Sequence, residues 1–72
     1  MRGNFFYKRL GEKILNARHK KKISQEQLSL LADVDRTYIA RIEEGKANPT
    51  VKILNKLRKV LNIKLEKLLE NV

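Results

Sequence analysis

Glycine and proline, the residues that most often interrupt regular structure, are scarce in this 72-residue chain. They occur only at Gly3, Gly11, Gly45 and Pro49. Long stretches without such residues favour helices. The apolar residues between them recur at three- and four-residue spacing, and no segment shows the period-two alternation of a strand. We therefore predict an all-α fold, a compact five-helix bundle.

The bounds of these helices are predicted from apolar spacing and from capping residues. The five helices are expected over residues 6–21, 25–32, 36–44, 51–61 and 64–70. Ser24, Asp35 and Thr50 are the expected N-caps, and Gln27 completes a capping box with Ser24. Residues 1–5 are expected to form a flexible N-terminus, and residues 6–72 a single domain.

Charge and composition narrow the class of protein. The chain has 17 Lys and Arg residues against 8 Asp and Glu, a formal net charge of +9, which favours a polyanionic partner without identifying it. With no Cys and one His, we expect no disulfide, no metal site and no cofactor. No apolar run approaches the ~18 residues of a membrane span, and no signal-peptide pattern is present. A cytoplasmic protein is expected.

Small size makes self-association an expectation. A chain this short buries only about 60% of its unfolded surface, so a monomer would be marginally stable. The last predicted helix carries more apolar surface than one short helix can bury on its own chain, which favours a homodimer. The residues concerned are Leu65, Leu68, Leu69 and Val72. The alternative is that these side chains close the core of a single chain.

The second and third helices are joined by three or four residues, which is the helix-turn-helix arrangement. At about 100° per residue, Ile39 and Ile42 lie on one side of the third helix, with Tyr38 at its edge. The opposite side carries Arg36, Thr37, Ala40, Arg41 and Glu44. Arginine can pair with a guanine edge, and a small alanine lets the helix approach a major groove. An ordinary solvated face would look the same, so this helix alone leaves both interpretations open.

Two stretches carry a resemblance to a known family. They are ARHKKKISQEQLSLLADVDRTYIARIEEGKANPTVKIL and LRKVLNIKLEKLL. Over residues 10–69 the chain resembles the Cro/repressor-type helix-turn-helix transcriptional regulators, also called the XRE family. The stretch DRTYI and the short length are similar to restriction–modification controller proteins. The resemblance implies a lambda-repressor-like DNA-binding domain, with the helix-turn-helix at 24–45 and a C-terminal dimerisation helix at 64–71.

The same resemblance assigns roles to individual residues. The residues expected to contact base edges are Arg36, Thr37 and Arg41, with Tyr38 beside them. The residues expected to contact phosphates are Gln25, Lys46, Asn48 and Thr50. Arg18 and Glu43 occupy positions where relatives often place a partly buried ion pair that joins the first and third helices.

Some residues depart from the family pattern or leave alternatives open. Asp33 stands where relatives commonly have Gly, so an Asp must supply the turn geometry. Leu30 occupies a position that is often polar in relatives, and Leu31 one that varies. An exposed Leu there is either neutral or a contact to a partner protein. The basic run 18–22 suits phosphate contacts or a solvated helix end, and by composition it also imitates a nuclear-import signal.

No enzyme is predicted. Ser24 has no neighbouring base to activate it, and Glu43 and Glu44 point about 100° apart on a helix. The sequence predicts a sequence-specific double-stranded DNA-binding regulator of transcription that binds a partly palindromic operator as a homodimer, similar to a controller protein. The alternatives are an antitoxin that acts with a toxin partner, and a basic protein- or membrane-interaction module.

Overall fold

Five helices account for the regular structure of residues 2–72. The computed structural model describes the backbone of residues 2–72 and the side chains of residues 5–72. The helices are α1 Arg2–Lys20, α2 Gln25–Ala32, α3 Arg36–Glu43, α4 Val51–Leu61 and α5 Leu65–Leu69. The described residues form no strand, which confirms the predicted all-α fold. None of these helices is both long and apolar enough to cross a membrane.

Helix α1 begins earlier than expected. It starts at Arg2, so the predicted start at residue 6 was wrong, and residues 2–5 form its first turn. Gly3 and Asn4 are weak helix formers, but extending an existing helix is far less costly than nucleating one. Of the segment predicted to be flexible, Met1 lies outside the described residues. The last helix is shorter than predicted, because Lys64 and Glu70 are its caps.

Side-chain caps set the starts of three helices. The Ser24 hydroxyl accepts from the Gln27 main-chain N–H at 3.0 Å, and the Gln27 side chain accepts from the Ser24 N–H at 2.8 Å. This is the predicted capping box. Asp35 and Thr50 likewise each accept from the N–H three residues further on, at 3.3 and 3.1 Å. The three predicted N-caps are confirmed.

The turn between α2 and α3 is closed by Asp33. Its backbone is left-handed, with φ 57° and ψ 50°, and its N–H donates to the Ser29 carbonyl oxygen. Aspartate tolerates this conformation better than most residues do, so it serves where a glycine would be expected. Val34, the next residue, is buried and anchors the turn to the core.

The core is a single cluster to which every helix contributes. Its members are Leu10, Ile14, Leu28, Ala32, Val34, Ile39, Ile42, Leu54, Leu57, Leu61 and Leu68. Ile39 and Ile42, on the predicted inner side of α3, are fully buried and hold this helix against the rest of the bundle. Burying such a side chain stabilises the fold by about 1.5–3 kcal/mol.

The backbones of α1 and α3 approach closely at Gly11. A Cβ atom at this position would collide with the main-chain carbonyl oxygen of Ile42 and crowd that of Glu43. Gly11 therefore permits a helix–helix contact that no larger residue allows, which outweighs its cost of about 1 kcal/mol in a helix interior. This contact sets the distance of α3 from α1.

Four apolar residues at the C-terminus do not share one role. Leu68 is fully buried in the core of one chain, so its predicted place in a dimer interface is wrong. A side chain without accessible surface has none left to bury against a second copy. Leu65 and Val72 are half-buried and pack on the core, whereas Leu69 is exposed.

Candidate nucleic-acid interface

The outer side of α3 is polar and open to solvent. Arg36 and Thr37 are exposed in its first turn, and Ala40 is half-buried one turn later. Tyr38 is also half-buried and packs against the core at the edge of this face. Because Ile39 and Ile42 are buried beneath it, the helix presents Arg36 and Thr37 outward from a fixed base.

Arg41 lies apart from Arg36, at the other end of α3. Its side chain is exposed, and its Nη2 donates to the main-chain carbonyl oxygen of Lys46 at 2.8 Å. That bond uses one of the five N–H donors of the guanidinium group. The structure thus brings Arg41 together with the loop after α3 rather than with the first turn of the helix.

A hollow next to this loop collects further polar groups. It is lined by Tyr7, Arg41, Lys46 and Asn48, together with Gly45. Sequence analysis did not connect Tyr7 with this site, because the residue lies on α1, far away in the sequence. The glycine after α3 was the one sequence signal of a close contact at this point. Gly45 has a φ of 75° and approaches Lys8 closely, which brings α1 beside the loop.

The predicted phosphate-contacting residues of the loop are all exposed. Lys46, Asn48 and Thr50 lead from α3 into the N-terminus of α4. The Lys46 ammonium lies 3.7 Å from the Glu44 carboxylate, but both side chains remain more than half exposed. Thr50 caps α4, and the unpaired N–H groups of a helix N-terminus attract anions. This loop can therefore hold negatively charged groups.

A buried ion pair joins α1 to α3. The Arg18 Nε atom lies 2.7 Å from Glu43 Oε2, and its Nη2 lies 3.0 Å from Oε1. The two side chains are 9% and 3% exposed. A bidentate pair of this kind fixes orientation as well as distance, because two parallel hydrogen bonds must form together.

Gln25 extends this pair to a third helix. Its side-chain Nε2 donates to Glu43 Oε1 at 2.8 Å, and Arg18 Nη1 donates to the carbonyl oxygen of Ile23 at 3.0 Å. The first residue of α2 is thereby tied to the last turn of α3. We refer to Arg18, Gln25 and Glu43 as the polar junction. It holds the two helices of the helix-turn-helix at one angle.

The polar groups at this site suit an anion better than a metal ion. Among the described residues, no three His, Asp or Glu side chains lie close enough together to hold a metal ion. The groups that the structure does bring together, two cations and an amide around the hollow by the loop, suit an anion such as a phosphate.

Comparison with known proteins identifies the family. Residues 14–68 match the helix-turn-helix family HTH_3. The chain is also 38% identical over 60 residues to control protein C.SmaI of Serratia marcescens. The aligned segment covers 83% of this chain and 71% of that protein. The chain belongs to the controller proteins of the helix-turn-helix family. The predicted family resemblance is confirmed.

Solved structures of this controller family share the fold. The controller protein C.AhdI from Aeromonas hydrophila superposes with a TM-score of 0.83 at 31% identity, covering 86% of this chain and 94% of that one. C.Esp1396I bound to a 25-base-pair operator site superposes with a TM-score of 0.79, also at 31% identity, over 90% of this chain and 86% of that one. Most of this chain therefore shares the fold of these controller proteins.

Proposed function

We propose that this controller protein is a sequence-specific regulator of transcription that binds double-stranded DNA as a homodimer at a partly palindromic operator. The observation that carries the proposal is the outer side of α3, where Arg36 and Thr37 project from a helix anchored by buried isoleucines. A helix exposed in this way fits a major groove. Its relative C.Esp1396I is bound to an operator site, which supports the same activity here.

Discrimination between sites is proposed to come from the first turn of α3. The guanidinium group of Arg36 matches the O6 and N7 acceptors of guanine, and Thr37 can bond to a base edge or touch a thymine methyl group. Tyr38 lies beside them at the edge of the face. Because the polar junction and Gly11 fix the helix, these side chains meet the bases from a constant position.

Affinity is proposed to come from the loop and from the starts of α2 and α4. Lys46, Asn48 and Thr50 face the phosphates of one strand, and Gln25 approaches the backbone from α2. Arg41 lines the same hollow as Lys46, so we place it nearer to the phosphates than Arg36. Each Lys or Arg that meets a phosphate releases counterions, which makes binding weaken steeply with salt.

The homodimer is proposed to form through the exposed side of α5. Leu69 is exposed there, and Leu65 and Val72 are only half-buried. A two-fold axis beside these residues would place two copies of α3 about 34–36 Å apart, one turn of the duplex, so that each reads one half of the operator. The partly palindromic operator follows from this symmetry.

The substitution Arg36→Ala tests the base-reading role. The operator is first defined by selection from a random DNA library, and binding is then measured by gel shift against single-base variants. We expect discrimination at one base position to fall by about 1–3 kcal/mol. Arg9→Ala removes an equal charge from the exposed surface of α1 and is the matched control. Equal weakening on specific and random DNA would contradict the assignment of Arg36.

The substitution Lys46→Ala tests the phosphate contacts. It is expected to weaken binding to all DNA sequences alike and to reduce the slope of log affinity against log salt by about 1, because one fewer counterion is released. Lys59→Ala, at another exposed lysine near the far end of α4, should leave the slope unchanged. An unaltered slope in the Lys46 variant would remove that residue from the interface.

We infer that the protein acts by binding and not by catalysis. The Ser24 hydroxyl is engaged as a helix cap, and the Glu43 carboxylate accepts from Arg18 and Gln25. Neither group is therefore arranged as a nucleophile or a general base.

We assign the protein to the cytoplasm, associated with the nucleoid while it is bound to DNA.

A second candidate, an antitoxin with a toxin partner, rests on one observation. Leu30 and Leu31, consecutive residues of α2, are 76% and 65% exposed, so two large apolar side chains face solvent there. Co-purification with the product of an adjacent gene, abolished by Leu30→Ser with Leu31→Ser, would favour this function. Adjacent genes for a restriction enzyme and a methyltransferase would favour the controller function.

A further inference from the structure

A groove runs between α1 and the segment that joins α4 to α5. Two adjoining hollows form it, and they share Ala17, Lys20 and Ile63. Ala17 and Ile63 pack against the core and form an apolar floor. We call this surface the α1–α5 groove. It takes no part in the DNA interface proposed above.

The edges of the α1–α5 groove are positively charged. Lys13, Lys20, Lys21 and Lys67 line it, and no Asp or Glu among the described residues does so. Lys67 lies 3.7 Å from Glu70, and Lys13 donates to main-chain carbonyl oxygens of α5. Within residues 5–72, Lys20 and Lys21 form no ion pair. The groove therefore combines an apolar floor with uncompensated cations.

The groove lies away from α3. At about 100° per residue, Lys13 and Lys20 are about 160–180° around α1 from Gly11, the residue that touches α3. On α5, Lys67 is about 160° from Leu69, the exposed residue of the proposed dimer face. A molecule in the groove would thus leave both the reading helix and the dimer face accessible.

We propose that the α1–α5 groove binds an acidic segment of a partner protein that carries an apolar side chain as an anchor. The floor would receive the anchor, and the lysines would pair with the carboxylates around it. Each copy of this chain has a net charge of +9, so the lysines at the edges of the groove favour an acidic partner over a second copy. A DNA backbone offers phosphates but no flexible apolar side chain for the floor.

A synthetic peptide tests this proposal directly. The probe is a fluorescein-labelled peptide rich in Glu, with two Leu residues one helical turn apart, and binding to the full chain is measured by fluorescence anisotropy. A second peptide has Ser in place of each Leu, and a single-stranded oligonucleotide of equal charge stands for other polyanions. We expect saturable binding of the Leu peptide only, with amide chemical-shift changes at Ala17 and Ile63.

The variants Lys20→Glu and Lys59→Glu separate the groove from general charge attraction. Each reverses one exposed lysine near the C-terminus of its helix, so the change in net charge and helix context is the same. Lys20→Glu is expected to weaken peptide binding about tenfold, and Lys59→Glu less than about twofold. Circular dichroism verifies that both variants fold.

Several outcomes would overturn the proposal. Equal weakening in both variants, or equal binding of the Ser peptide, would show attraction by charge alone. Shifts on α3 would mean that the peptide occupies the DNA interface. Binding of the oligonucleotide in the groove would make it a second nucleic-acid surface, and concentration-dependent shifts at Ala17 without peptide would make it a contact between copies. None of these outcomes depends on operator binding.

Discussion

Two of the contacts that helix α1 makes, those with α3 and with α5, differ in kind. Its contact with α3 is close and buried, because the backbones meet at Gly11 and the Arg18–Glu43 pair is almost inaccessible to water. Its contact with α5 depends on one buried side chain, Leu68, and on exposed hydrogen bonds from Lys13. Helix α5 is only five residues long and has no side-chain N-cap bond.

This difference separates two tasks within one small bundle. The helix that is proposed to read DNA is held rigidly by the rest of the chain, whereas the helix proposed to form the dimer is attached at the periphery. Because no residue of α5 hydrogen-bonds to the polar junction, loosening α5 should leave α3 in place. Three substitutions test this comparison.

The largest effect is expected for Glu43→Ala. It leaves the Arg18 guanidinium buried without its carboxylate and frees Gln25, so the free energy of unfolding should fall by about 3–5 kcal/mol. That is a large share of the total for a domain of this length. The measurement is urea denaturation at matched protein concentration, since self-association shifts apparent stability.

Glu44→Ala is the control for this prediction. Glu44 adjoins Glu43 but is exposed, and its contact with Lys46 spans 3.7 Å, so its removal should cost no more than about 0.5 kcal/mol. If the two variants lost similar stability, the polar junction would not be what holds α3, and the contrast between the two contacts would fail.

An intermediate effect is expected for Leu68→Ala. Truncating this fully buried side chain should lower the free energy of unfolding by about 2–4 kcal/mol. Amide hydrogen exchange should show that protection is lost in α5 and kept in α3. Leu69→Ala, at the exposed neighbour, should instead raise the dimer dissociation constant in analytical ultracentrifugation. If α3 lost protection to the same degree as α5, the two helices would unfold together, and α5 would not be attached independently of α3.

The smallest effect is expected for Lys13→Met. Its Nζ donates to the carbonyl oxygens of Lys67 and Glu70 at the end of α5, in an exposed position. Losing these bonds should cost about 0.5 kcal/mol and speed exchange only at α5 amides. Lys8→Met, on the same helix, is the control. Unchanged exchange in α5 would show that apolar packing, and not the bonds from Lys13, attaches this helix.

Local sequence signals predicted most of the fold. Ser24 with Gln27, Asp35 and Thr50 marked three helix starts, because a cap is a contact between residues three apart. The start of α1 was missed because no cap precedes it, and helix propensity around Gly3 is too weak to locate an end.

The site was less predictable than the fold. Periodicity placed Arg36 and Thr37 outward and Ile39 and Ile42 inward, since all four lie on one regular helix. The bond from Arg41 to the Lys46 carbonyl and the presence of Tyr7 in the adjoining hollow were not predicted. Both depend on how a loop folds against another helix.

The sequence by itself determined the number of helices, three of their N-caps and the family, because each depends on residues close together in the chain or on a linear motif. Only the tertiary structure decided that Leu68 is a core residue, that Gln25 joins the Arg18–Glu43 pair, and that four lysines surround one groove. The physical reason is that burial and side-chain pairing depend on the three-dimensional arrangement of the chain. Residues distant in sequence acquire them together only when the helices pack.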